Sequence, residues 1–361
     1  MPSPLNLSAE DYWGDFTRTA DPAFDKFIEE NDFVGLRVDA PAQVPIDRRD
    51  SFPVVGYYVR TVREDVQVDP EEQLLVAALD LTTHRLHAGA ALDTGKTRAP
   101  KGPPSDLDPG DGVTYNAFSS DLRRQLDLPW EKRKYLVAFA IREHLSNPLR
   151  VELAPSPLAY RDPAVEDFLA EQRKKAPFVP PLPVSPEPKP ELGVTYQRVS
   201  RSPEVPKEPG IALAIDRVAV ARRGSSSLCF GSFRLPVTVG ELVRPDPATG
   251  KRPEVGDSEA KCIVPITLFI TGSEAPGPWL VELRVPSYDA VAVPKGAAPP
   301  PEEEVGVVTG FFALDLLQHP GMPRGPMTYF VSAFGGATVN GPFQVAIVTE
   351  KMLKDAGAAP T

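Results

Sequence analysis

From Phe33 onward the apolar residues come in short runs broken by Pro, Gly and Asp, a pattern of strands joined by turns. In the first part of the chain the runs cover 33–38 (FVGLRV), 53–62 (PVVGYYVRTV), 74–81 (LLVAALDL), 112–118, 135–141 (YLVAFAI) and 149–153 (LRVEL). In the second part they cover 211–220 (IALAIDRVAV), 228–239 (LCFGSFRLPVTV), 263–271 (IVPITLFIT), 279–286 (WLVELRVP), 306–313, 329–334 and 343–348 (FQVAIV). Two stretches have helical spacing instead. In 21–31 (DPAFDKFIEEN), Asp21 is placed to cap, Pro22 opens the first turn, and Phe24, Phe27 and Ile28 fall on one face. The same order returns at 162–175 (DPAVEDFLAEQRKK), with Val165, Phe168 and Leu169 as the apolar face.

Residues 100–153 align without a gap to residues 294–347, at an offset of 294 − 100 = 194. The identities include Gly112/Gly306, Phe118/Phe312, Asp121/Asp315, Leu122/Leu316, Tyr135/Tyr329, Val137/Val331 and Val151/Val345. They fall mainly on glycines, prolines and apolar residues, which set turns and cores. Before this block the correspondence weakens to Leu36, Val38 and Asp39 with Leu213, Ile215 and Asp216, and Gly56 with Gly231. The segments after each Asp-Leu pair differ freely and read as connecting loops, with room for one helical turn in the first copy.

The expected fold class is therefore all-β and mainly antiparallel. It consists of two tandem homologous β-sandwich-like domains, each preceded by a short amphipathic helix and each holding six to eight strands. The boundaries implied are an N-terminal arm 1–20, unit one at 21–153, a connection 154–210, unit two at 211–349 and a tail 350–361. The connection holds helix 162–175 and a proline-rich strap; 176–210 contains ten prolines. As polyproline II, residues 177–190 would span roughly 40 Å. The strap reads as a spacer, with docking of a proline-binding module as the alternative.

Composition narrows the function classes. The chain of 361 residues is long enough for two cores, and its 43 prolines disfavour long helices. A net charge of −10 argues against nucleic acid as a partner. The start, MPSPLNLSAEDYW, lacks the basic and apolar regions of a secretory signal. The longest apolar stretches, such as 262–270, fall well short of a membrane span. The expected location is cytoplasmic, with Cys229 and Cys262 as buried reduced thiols.

Candidate chemistry is sparse. AALDTGKT at 90–97 resembles a phosphate-cradling loop, but the RAPKGPP that follows provides no helix N-terminus to meet a phosphate. His84 and His87 are spaced for one helix face, yet the preceding LLVAALDL reads as a strand, so a shared ion requires a turn at HRLH. His144 is the conceivable third ligand. Unit two offers Gly272 and Ala275 near the corresponding places. Asp121 and Asp315 read as strand-end caps of the next turn. Ser225, Ser226 and Ser227 read as a polar hairpin loop, since no G-x-S-x-G surrounds them.

No catalytic residue, metal site or cofactor is assigned; His84, His87 and His144 are the residues a metal site in unit one would draw on. The leading expectation is a non-enzymatic interaction or scaffold protein that meets a protein partner or assembles with itself. The alternatives are an enzyme or metal-binding accessory protein with a site in unit one, and recognition of a glycan or small ligand by loop aromatics such as Trp130 and Trp279.

Overall fold

The computed structural model describes residues 33–47, 51–61, 73–92, 113–155, 194–221, 225–238, 260–274, 277–291, 304–319, 322 and 325–355. The helices expected at 21–31 and 162–175, the proline run 177–190 and most of AALDTGKT lie outside these residues.

The described chain is mostly β, in antiparallel and mixed sheets. The first half contributes β1 (Gly35–Asp39), β2 (Gln43–Pro45), β3 (Pro53–Thr61), β4 (Leu75–Asp80), β5 (Leu86–Ala90), β6 (Val113–Asp121), a one-turn helix α1 (Leu122–Leu126), β7 (Arg133–Ile141), β8 (His144–Leu145) and β9 (Leu149–Ala154). The second half contributes β10 (Val194–Thr195), β11 (Gly210–Ile215), β12 (Val218–Val220), β13 (Leu228–Thr238), β14 (Ala260–Gly272), β15 (Trp279–Val291), β16 (Glu304–Asp315), β17 (Thr328–Gly335), β18 (Thr338–Val348) and helix α2 (Glu350–Asp355). Among the described residues, 21–153 holds nine strands, one more than the six to eight expected, and 211–349 holds eight; β2 and β8, three and two residues long, are too short to leave a run in the sequence.

Four sheets form. In order they are β1-β3-β6; β2-β9-β7-β4-β5, with β8 also on β7; β12-β18-β17-β14-β15; and β10-β16-β13-β11. The first two enclose a core that includes Val54, Tyr58, Val76, Leu122, Tyr135, Phe139 and Val151. The last two enclose another, with Phe233, Leu268, Val285, Phe312, Tyr329 and Ile347. A third core joins the halves: Leu75, Ala77, Leu79, Leu136, Ala138 and Ala140 of β4 and β7 meet Phe269 of β14 and Phe334 of β17. The small side chains of one sheet thereby accommodate the two rings of the other, which are edge-on to each other at 6.0 Å. Arg150 adds a hydrogen bond from Nη2 to the Ala337 carbonyl, 3.1 Å.

Burial on both faces explains the unbroken apolar runs LLVAALDL and YLVAFAI. β4 is buried at all six positions, and β7 from Tyr135 to Ile141. A strand with one wet face would alternate.

The ladders of the two halves correspond. Gly56 lies opposite Phe118 and Gly231 opposite Phe312. Tyr135 lies opposite Val151 and Tyr329 opposite Val345. The parallel pairs Val44–Leu153 and Ala219–Ile347 keep the same offsets. The glycines are required by close approach: a Cβ at Gly56 would lie 2.4 Å from the Phe118 ring, and one at Gly231 would lie 2.0 Å from the Phe312 ring.

Two sequence expectations need correction. Residues 211–220 are not one strand: β11 and β12 belong to different sheets, and the chain turns at Asp216, whose carboxylate accepts from Leu228 N at 2.9 Å. The early pairing of Leu36 with Leu213 is also two residues out of register. Val38 faces Gly56 as Leu213 faces Gly231, so Val38 corresponds to Leu213. A slip of two keeps every side chain on its face, so hydrophobic patterning cannot detect it.

Candidate functional site

The densest polar cluster sits where β4 ends. Asp80 is fully buried, and its carboxylate accepts from Thr82 N at 2.8 Å, Thr83 N at 3.1 Å, Thr83 Oγ1 at 2.8 Å and the Arg133 guanidinium. Arg133 also pairs with Glu131. Burial pushes the Asp80 carboxyl up, but the hydrogen bonds from Thr83, Thr82 and Arg133 outweigh it and leave its pKa below the usual carboxylate value. The Asp-Leu-Thr-Thr order was the signal for this turn: an aspartate ending an apolar run and followed by threonines folds its carboxylate back over their backbone N–H groups.

Tyr135 faces Asp80 across the ladder, and burial with the nearby Asp80 charge pushes its hydroxyl up to about 12. His87, on edge strand β5, stands edge-on to the Tyr135 ring at 6.5 Å. Burial, then the Arg85 charge, lowers the His87 pKa, so the neutral imidazole is favoured. The second half has Trp279 at the place of His87, edge-on to Tyr329 at 5.8 Å. Gly272 stands at the place of Asp80, opposite Tyr329 as Asp80 is opposite Tyr135. The Tyr329 hydroxyl instead donates to the Gly325 carbonyl at 2.9 Å.

The three histidines have separate surroundings. His84 has a left-handed backbone, φ 58°, donates its backbone N–H to the Asp80 carbonyl, and borders a small cavity shared with Leu235, Cys262 and Gly336 of the other half. His87 faces Ala78, which faces Val137, whereas His144 pairs with Ile141 on the far side of β7. Those rows differ by four residues along β7, roughly 13 Å, and by three strand spacings, roughly 14 Å. His144 packs edge-on to Tyr58 at 5.7 Å. The turn at HRLH that a shared ion would require is not completed, because β5 begins at Leu86. Among the described residues no group of three His, Cys, Asp or Glu side chains is placed to hold a metal ion.

The repeated aspartates act as the sequence implied. Asp121 Oδ1 accepts from Phe52 N at 2.9 Å and Arg123 N at 3.2 Å. Asp315 Oδ1 accepts from Ser227 N at 2.9 Å and Leu317 N at 3.0 Å. Each carboxylate ties the end of one strand to the start of its neighbour and caps the turn that follows. Ser227 is buried in that junction.

Trp130 and Trp279 are engaged within their own halves. Trp130 donates from Nε1 to the Ile46 carbonyl at 3.2 Å, and the Arg123 guanidinium lies 4.3 Å above its ring. Trp279 packs against the core of the second half. A shallow groove of about 500 Å³ opens beside β12 and β18, bordered by Ile215, Arg217, Val218, Phe343 and Gln344. Cys229 and Cys262 are buried free thiols, and burial raises the Cys229 pKa strongly. No helix among the described residues is long and apolar enough to cross a membrane.

No protein-family model matches the chain, and no curated protein matches it. A solved structure of a serine-rich repeat adhesion glycoprotein from Streptococcus agalactiae aligns with 86% of this chain and 95% of its own, at 7% identity and a TM-score of 0.15. A likeness at that score carries no argument.

Proposed function

We propose that the chain is a non-enzymatic interaction or scaffold protein built from a duplicated β-sandwich. The units are 21–153 and 211–349, each led by a short amphipathic helix, with 154–210 as their connection. The observation that carries this reading is the third core. The central sheets of the two halves bury each other's outer faces, so Phe269 and Phe334 lock one half onto Leu75, Ala77 and Ala138 of the other. Such packing holds the outer sheets, their edges and their loops in fixed mutual orientation, which suits presenting two surfaces to a partner.

The side chains able to do chemistry support the same reading by being occupied structurally. Asp80, Asp121 and Asp315 satisfy backbone N–H groups, and His87 and His144 pack on tyrosine rings. The cytoplasmic location and the absence of a resident metal or cofactor belong to this proposal and rest on the sequence.

The test is quantitative affinity capture from native lysate, comparing the wild-type chain with the double variant Phe269→Ala/Phe334→Ala. A stoichiometric protein partner retained by the wild type and lost when the halves are loosened is expected. Stoichiometric zinc or copper in chelator-free protein, or turnover abolished by His87→Ala, overturns the reading.

A further inference from the structure

The sheet edge at β12 is apolar, whereas its first-half counterpart is polar. Among the described residues β12 is the outermost strand of its sheet, and it runs parallel to β18. Val218 lies beside Ala346 at the places that Gln43 and Glu152 hold in the first half. Gln344 likewise stands where the first half has Arg150. Val218 is 57% exposed. Polar and charged side chains guard the open edges of sheets against added strands, and here the second half lacks that guard.

The backbone of β12 is only partly used by its sheet. Ala346 N donates to the Arg217 carbonyl and Ala221 N to the Val348 carbonyl, each at 2.8 Å. In a parallel ladder this phase assigns the backbone groups of Arg217, Ala219 and Ala221 to β18. Val218 and Val220 therefore turn their N–H and C=O groups to the open edge, where an extended segment can pair with them.

The groove of about 500 Å³ beside this edge adds side-chain requirements. From Val218 and Ala346 it continues to Ile215 and Phe343, which pack only partly on the core of the second half. Arg217 stands exposed on its border, with no carboxylate partner among the described residues. The adjacent Asp216 is taken by Arg201 and by Leu228 N. An occupant must therefore bring main-chain groups, apolar side chains and a carboxylate. A second copy of β12 fails the last requirement: paired antiparallel with Val218 opposite Val220, it sets Ala221 against Arg217.

We propose that β12 receives an extended segment of a partner protein by strand addition, with apolar side chains over Val218 and Val220 and a carboxylate on Arg217. Read antiparallel from Val220 to Arg217, the segment is apolar, small, apolar, acidic, because residues directly opposite each other share a face. This docking rests on the reading of the chain as an interaction protein and locates the surface it uses.

The probe is a blocked, fluorescein-labelled peptide containing Val-Thr-Val-Glu, titrated against the full chain by anisotropy beside a control with Lys in place of Glu. Saturable binding of the Glu peptide is expected, weakened about tenfold or more in the Lys peptide and in the protein variants Arg217→Glu and Val218→Lys. The Lys peptide should regain affinity for Arg217→Glu, a recovery that misfolding would not produce. No saturable binding, equal binding of both peptides, or no recovery in the charge-swapped pair overturns the docking. So does sedimentation showing a wild-type dimer that Val218→Lys abolishes, since the occupant is then a second copy. Lysate capture separates this failure from that of the interaction reading: a stoichiometric partner held equally by wild type and Val218→Lys sinks the docking at β12 and leaves the interaction reading standing.

Discussion

His87 and Trp279 occupy the same place in their respective sheets. His87 faces Ala78 on β4 and turns edge-on to Tyr135, and Trp279 faces Ile270 on β14 and turns edge-on to Tyr329. An aromatic ring against the tyrosine is the common element, and the imidazole serves as that ring in the first half. This explains why His87 and His144 do not meet: each is placed by a tyrosine, Tyr135 for one and Tyr58 for the other.

A pH prediction follows for His87. Its folded-state pKa lies below the ordinary 6.5, so the unfolded chain binds the proton more readily. The stability it supports is present above about pH 6.5 and is lost as the pH falls through that value towards the folded pKa. Asp80 is also lowered, from 3.8, so its contribution is lost only in more acidic solution. Urea midpoints measured across both windows should show His87→Phe flattening the upper one and leaving the lower one intact. An unchanged upper slope would show that the imidazole does not titrate on unfolding.

Gly231 tests the repeated glycine–phenylalanine contact. Replacing it with Ala puts a Cβ 2.0 Å from the Phe312 ring, which is fully buried and has no room to retreat. The expected cost is about 1–3 kcal/mol in chemical denaturation. Adding Phe312→Leu should recover part of it, because the clash leaves with the ring. Strictly additive losses would mean that the ring is not the obstacle.

The legible parts of this fold were those repeated with tight geometry. Phe118/Phe312 face their glycines, Asp121/Asp315 cap their turns, and Tyr135/Tyr329 keep their ladder positions. The illegible parts have physical reasons. β8 and β10 are two residues long and leave no period to detect. Asp216, which with Arg217 separates two apolar runs, breaks 211–220 through a carboxylate bond to Leu228, a partner invisible in a local window. The Asp80 cluster depends on Arg133, 53 residues away, and was not foreseen. The packing of the halves was visible only as apolar runs too continuous for one-sided strands.

The caps carry a second stability prediction. Asp315→Ala removes the acceptor of both Ser227 N and Leu317 N, and Ser227 is fully buried. Leaving such donors without a partner costs about 1–3 kcal/mol. Asp315→Asn keeps a carbonyl oxygen at the same place and should restore much of the loss in thermal unfolding. Equal losses for Ala and Asn would assign the role to the charge instead of the acceptor.

The last prediction concerns how the halves are held. Phe269 and Phe334 supply the rings that fill the third core, while the cores within the halves do not include them. Truncating either to Ala removes a ring that is at most 1% exposed, at a cost of about 3–5 kcal/mol. The loss should fall on the contact between the halves. Two unfolding transitions are therefore expected in place of one, with amide protection falling first along β4 and β14 at Leu75, Ala77 and Phe269. Val285 and Phe312, which belong to the core of the second half alone, should stay protected until the later transition. If protection at Phe312 is lost together with that at Phe269, the halves unfold as one unit, and the third core is inseparable from the cores it joins.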